Sequence, residues 1–305
     1  MNLTHLTALE LGRAIASGDV TIPQATQAAL EEITRRDQRL NSCITVLAEQ
    51  AMERAEDLQK GLKPGLSPLY GVPLLLKDNL CTQGVKTTCG SKLLEGYVPP
   101  YDATVVEKVQ TAGGVCLGKG NLDEFAMGST TETSYFGPTR NPWEESRVPG
   151  GSSGGCAAGV AAGFAWYALG SDTGGSIRQP AGYCGLTGLK PTYGTVSRYG
   201  LMAYASSLDQ VGPLCRDAAD CAAVLDILQG KDHRDSTAVD GNYGGLLASL
   251  TADIRGLRVG LPVECFGEGL DPCVAQRVQE VAKVLQHRGA ILTEVSIPEL
   301  KQVIG

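Results

Sequence analysis

Serine hydroxyls recur in two glycine-rich stretches of this sequence, PGGSSGGCAAGVAAG at 149–163 and LGSDTGGSIRQPAGYCGLTGLKPTYG at 169–194. A serine attacks a carbonyl carbon only when a base takes its proton, and the oxyanion that forms then needs hydrogen-bond donors around it. Glycines and small residues flank each serine, so backbone N–H groups can face inward unobstructed. In particular Thr173-Gly174-Gly175-Ser176 presents consecutive amides, the arrangement an oxyanion hole requires. The base is less obvious. G-x-S-x-G occurs twice in overlap, around Ser152 and Ser153, but a nucleophile elbow follows a strand and needs a later histidine. NPWEESRVP, with two prolines and a charge cluster, is a poor strand, and only 3 histidines exist. His5, His233 and His287 each read as solvated surface residues, so a Ser-His-Asp triad has weak support.

Lys77 is the other basic group close to these motifs in character: it ends the apolar run YGVPLLLKDN. A solvated lysine has a pKa near 10.4 and is almost fully protonated at neutral pH, so acting as a base requires a fall of roughly three units, about 4 kcal/mol of bias. Burial is the available cause, since Lys77 follows Pro73-Leu-Leu-Leu76 directly. Asp78 would oppose the shift, but strand alternation points it to the opposite face.

A further motif, of phosphate-binding type, fails on inspection. Gly113-Gly-Val-Cys-Leu-Gly118-Lys119-Gly120 approaches a phosphate-binding loop, yet Gly120 stands where a metal-binding hydroxyl is needed, and VCLG reads as a strand. A helix C-cap entering a strand accounts for it.

The elements that must hold these residues follow from periodicity. The first sixty residues read as helices, with a capping-box pattern at Thr7 and Glu10 and a second start at Thr21 with Pro23 in the first turn. A strand is expected in YGVPLLLKDN, a helix at 102–114 with a glycine cap, and a strand in VCLGK. A long loop-rich segment follows to about 155. Then come a helix at 154–162, a strand at 165–170, a helix at 216–229, a strand at 256–261, a helix at 271–288 and a strand at 290–297. Strand–helix alternation of this kind predicts an α/β fold, a mixed or mainly parallel sheet with helices on both faces. One domain over 1–305 is expected, with 1–65 as an N-terminal helical segment packing on it. PELKQVIG reads as the opening turns of a helix, which suggests a truncated chain.

The chain carries a net charge of −7 with a pI near 5.1, a poor surface for gripping phosphate backbone by itself. Ten cysteines could form a disulfide set, but Cys116 and Cys221 lie in apolar or helical stretches and no C-x-x-C occurs, so reduced buried thiols fit better. The start lacks a basic segment followed by an apolar one, and the longest low-charge run is too short and too rich in Gly and Ala for a membrane span. A cytoplasmic setting, or an organellar one in a eukaryote, with no membrane partner, is expected.

The block GGSSGG…GSDTGGSIRQPA, with KDN at 77–79 upstream, resembles the amidase signature family, whose defining stretch it is. The resemblance implies that family's mixed-sheet α/β fold. Residue by residue it implies that Ser176 is the acyl-forming nucleophile, that Ser152, after an unusual cis peptide bond, is the bridging serine, and that Lys77 is the general base. It makes the backbone amides of Thr173, Gly174, Gly175 and Ser176 the oxyanion hole, and Ser153, Asp172 and Arg178 orienting groups around it. Within the family, 121–143 and 190–213 look most like the glutamine-hydrolysing subunits of tRNA-dependent amidotransferases. That likeness implies ammonia release from glutamine, B and C subunits as partners, and Glu-tRNA(Gln) held mainly by the B subunit. It implies ATP and Mg in the partner and no cofactor in this chain. The C-terminal third of such glutamine-hydrolysing subunits has no counterpart here. The alternatives are a stand-alone amidase acting on a small carboxamide and an inactive truncated fragment that scaffolds a complex.

Overall fold

Thr7 opens the first helix through the expected capping box, and Thr21, expected only as a helix start, opens the second through a box as well, each side chain accepting from the amide three residues on while Glu10 or Gln24 reaches back. In the computed structural model, which describes residues 3–241, 243–250 and 253–302, these are α1 (Ala8–Ser17) and α2 (Ile22–Leu40). Periodicity continues the helices to residue 60, but a strand intervenes. Helix α2 stops at Asn41 in the left-handed region, and the Asp37 carboxylate takes the amides of Ser42 and Cys43, at 2.7 and 3.1 Å. The β-branched run Ile44-Thr45-Val46 then extends as β1 (Cys43–Val46) before α3 (Ala48–Lys60).

The apolar run ending at Lys77 is β2 (Pro73–Lys77), buried at every position. It is followed by α4 (Thr104–Thr111), which ends just before Gly113 at φ +87°, and by β3 (Val115–Gly120). The low-charge segment forms α5 (Gly154–Ala161), buried all round apart from its last residue, and the fully buried β4 (Tyr167–Asp172). Short elements α6 (Arg178–Tyr183) and β5 (Thr187–Gly188) precede β6 (Gln210–Cys215) and α7 (Ala218–Leu228), capped by Asp217.

Six strands make one mixed sheet in the order β1-β3-β2-β4-β6-β5. Its centre is parallel, with β2 between β3 and β4, while β1 and β6 run antiparallel to their neighbours. The register sets Leu76 opposite Leu169, so the carboxyl ends of β2 and β4, carrying Lys77 and Asp172, leave the sheet side by side. That edge is where open α/β sheets place their ligands. The apolar core, including Leu74, Leu75, Trp166 and Tyr167, lies against this sheet.

Where the sequence leads one to expect a single domain, the chain divides into two compact units, Met1–Ala248 and Ser249–Gly305. The second holds β7 (Arg258–Pro262) and β8 (Ile291–Val295), which pair in parallel with each other in a sheet of their own, and the connecting helix α9 (Pro272–His287); a single-turn α8 (Leu246–Ser249) lies at the division. The expected closing helix begins as a 3₁₀ turn at Pro298–Gln302, and 303–305 lie outside the described residues. All ten cysteines are free, and among the described residues no helix is long and apolar enough to cross a membrane.

Candidate active site

Lys77, the last residue of β2, is fully buried. Its Nζ lies 2.7 Å from Ser152 Oγ, 2.9 Å from Ser171 Oγ and 3.3 Å from the Ser171 carbonyl oxygen. Burial pushes its pKa from 10.5 down to about 8, against weaker opposition from the Cys156 and Cys89 thiols and the Asp123 and Asp172 carboxylates. Among the described residues no carboxylate forms an ion pair with it. Asp78 turns away, as alternation predicts, and pairs instead with the equally buried Lys119 at 3.3 Å. Lys119 Nζ also donates to Leu80 O at 2.7 Å and Thr87 Oγ1 at 2.9 Å, so the lysine of the apparent phosphate loop serves the core.

Ser152 sits in the turn that enters α5, and the Gly151–Ser152 peptide is cis. The glycines of this turn are there because other backbone crowds it. A Cβ on Gly151 would lie 2.2 Å from Asp123 Oδ2 and 2.7 Å from the Thr130 nitrogen. The loop at 123–131 clasps the turn: Thr131 Oγ1 donates to Gly150 O at 2.9 Å and accepts from Gly154 N at 3.1 Å, while Asp123 Oδ2 accepts from Thr131 N at 2.9 Å. Gln179 accepts from Gly151 N at 2.9 Å. Both serines of the turn are buried, and Ser153 Oγ donates to Ser171 O at 3.3 Å.

The turn after β4 carries Ser176, which is half-buried and tied to the first turn by Ser153 N donating to its carbonyl oxygen at 3.1 Å. Among the described residues no hydrogen bond links the Ser176 and Ser152 hydroxyls. Asp172 organises this turn. Its carboxylate accepts from Gly175 N at 2.8 Å and Ile177 N at 3.1 Å, and from the Arg178 guanidinium twice at 3.0 Å. Burial raises the Asp172 pKa, but Arg178 and these amides outweigh it and hold the carboxyl below its usual range. The Gly175 amide, expected in the oxyanion hole, thus points to Asp172; the Thr173, Gly174 and Ser176 amides have no partner among the described residues. Thr173 Oγ1 donates to Asp209, which also accepts from Tyr204 N at 2.9 Å.

Lys77, Ser152, Ser153, Ser176, Asp172 and Arg178 therefore stand in one hydrogen-bonded neighbourhood, and the 3 histidines lie exposed. Two members were missed. Ser171 touches Lys77 through both its hydroxyl and its carbonyl, and the Asn79 side-chain amide lies 2.9 Å from the Ser171 hydroxyl. Both stand inside quoted motifs, KDN and GSDTGGS; only strand pairing reveals that they meet. A buried amine hydrogen-bonded to one serine, beside a turn with free amides and a second serine, can carry a proton relay for attack on a carbonyl.

An amidase family model matches residues 24–305. The A subunit of glutamyl-tRNA(Gln) amidotransferase from Lachnoclostridium phytofermentans is 52% identical over 300 residues, covering 97% of this chain and 61% of that protein. The crystal structure of the A subunit of the same enzyme from Thermotoga maritima aligns with a TM-score of 0.87 at 42% identity, covering 99% of this chain and 64% of the other. Native peptide amidase from Stenotrophomonas maltophilia aligns with a TM-score of 0.88 at 35% identity, covering 98% and 63%. This chain thus spans between 61% and 64% of the length of these relatives.

Proposed function

This chain belongs to the amidase family, and we propose that it is the glutamine-hydrolysing subunit of a glutamyl-tRNA(Gln) amidotransferase, working through Lys77, Ser152 and Ser176. The observation that carries the chemistry is the 2.7 Å contact between a fully buried lysine and Ser152. Neutral Lys77 takes the Ser152 proton as Ser152 takes that of Ser176. Ser176 Oγ bonds to the side-chain carboxamide carbon of glutamine, and the oxyanion is met by the amides of Thr173, Gly174 and Ser176. The intermediate collapses with loss of the C–N bond; the proton returns from Lys77 through Ser152 to the nitrogen, which leaves as ammonia. Water, deprotonated through the same relay, then cleaves the acyl–Ser176 ester and releases glutamate. Asp172 and Arg178 shape the turn, and Ser153 ties it to Ser171.

The relatives are A subunits of a glutamyl-tRNA(Gln) amidotransferase, which supports an assembly with further subunits. In our reading these are B and C subunits, and the ammonia passes to a partner that holds ATP, Mg²⁺ and Glu-tRNA(Gln). The net charge of −7 agrees with leaving tRNA to the partner. The likeness to peptide amidase supports a second reading, a stand-alone amidase. Glutamine hydrolysis by the chain with and without the B and C subunits and Glu-tRNA(Gln) separates them: stimulation by the partners supports the first, and hydrolysis of small amides indifferent to partners supports the second.

A further inference from the structure

A neutral amine has two N–H donors and one lone pair, and Lys77 Nζ has three oxygen neighbours, Ser152 Oγ, Ser171 Oγ and Ser171 O. The carbonyl oxygen can only accept, so it takes one N–H. The second N–H has two hydroxyls to choose from, and the choice decides where the lone pair points. Asn79 settles it. Its amide is 2.9 Å from Ser171 Oγ, and both side chains are buried away from solvent. If Nδ2 faces the hydroxyl, it fills one oxygen lone pair; if the amide is turned over, Oδ1 takes the hydroxyl hydrogen, and Oδ1 otherwise has no partner. With Oδ1 facing it, the hydroxyl has given away its hydrogen and must accept from the lysine. With Nδ2 facing it, that hydrogen is free to turn onto the lysine lone pair, so we take the orientation that also gives the buried Oδ1 a partner. The lone pair is then left with a single neighbour, the Ser152 hydroxyl.

We infer that Ser171, held by Asn79, is a positioning residue that claims both N–H groups of neutral Lys77 and so turns its lone pair onto Ser152. This rests on Lys77 being the base of the amidase reaction. A site without Ser171 keeps the lysine and both catalytic serines but loses the device that aims them. Such a loss of aim lowers rate without removing any reacting group. The same hydroxyl also stabilises the ammonium form, so removing it eases deprotonation.

The test is the rate at which a fluorophosphonate labels Ser176 of the whole chain from pH 6 to 10, for wild type, Ser171→Ala and Ser171→Thr. For Ser171→Ala the plateau rate is expected to fall about tenfold or more, while the midpoint of the acid limb moves to lower pH. Ser171→Thr, which keeps the hydroxyl, is expected to restore both. An unchanged plateau, a fall with an unmoved midpoint, or no restoration by threonine overturns the inference. Should the alanine variant not fold, Ser171→Cys, of similar volume and a weak acceptor, carries the same expectation. If the wild type itself does not label at Ser176, the amidase reading fails first and takes this inference with it; if the wild type labels and the variants do not separate, only the inference fails.

Discussion

Lowering the proton concentration should switch Lys77 on over a narrow and unusual range. With its pKa pushed down to about 8 by burial, the amine is neutral in roughly a tenth of molecules at pH 7, half at pH 8 and nine-tenths at pH 9. The acylation rate of Ser176 should follow that fraction. It is expected to rise about fivefold from pH 7 to pH 8 and less than twofold from pH 8 to pH 9. A lysine at its ordinary 10.5 would instead give close to a tenfold rise at each step up to pH 9. The assay is the second-order rate of labelling by a serine-reactive acylating probe, followed by mass spectrometry of the intact chain, with Lys77→Ala as control. A rise that stays near tenfold per pH step through pH 9 refutes the burial argument. So does a profile that Lys77→Ala leaves in place.

The same shift acts on stability. Below pH 8 the amine is charged in both folded and unfolded states, and burying it costs about 3 kcal/mol, the value of a fall from 10.5 to about 8. Between pH 8 and 10.5 the folded chain sheds its proton first and the cost fades. In urea unfolding, the stability of wild type relative to Lys77→Met should therefore rise by about 3 kcal/mol between pH 7.5 and pH 10.5. Gly151→Ala places a methyl 2.2 Å from Asp123 Oδ2 and against the Thr130 nitrogen; labelling of Ser176 should drop by a factor on the order of 100 as the turn is displaced. Lys119→Met strands Asp78 in the core without its cation and is expected to cost about 3–5 kcal/mol in denaturant unfolding, part of it recovered by adding Asp78→Asn.

Much of this site is legible in the sequence because its constraints are local. Glycines at 150, 151, 154 and 155 announce backbone packed too closely for side chains, and the leucines before Lys77 announce a buried amine. The paucity of histidine argues against the commoner base. What pattern alone does not reveal is non-local. Strand β1 hides behind two strong helices, and its four residues become a strand because the edge of β3 accepts them. Strand β6 contains Gly212 and Pro213, residues that weaken a strand pattern, and is held by full pairing with β4. The meeting of Ser171 with Lys77 depends on β2 and β4 being parallel neighbours in one register, which no spacing along the chain encodes. The Gly175 amide shows the same limit: a run of small residues predicts free amides, yet Asp172, three residues back, captures one of them.

Peptide mapping of the covalent serine adduct bears most directly on the central claim, that a buried lysine drives a two-serine relay ending at Ser176. After reaction of the whole chain with a fluorophosphonate, the account predicts modification at Ser176 alone and its loss in Lys77→Ala. An adduct on Ser152 or Ser153, or undiminished modification of Ser176 without Lys77, would contradict it.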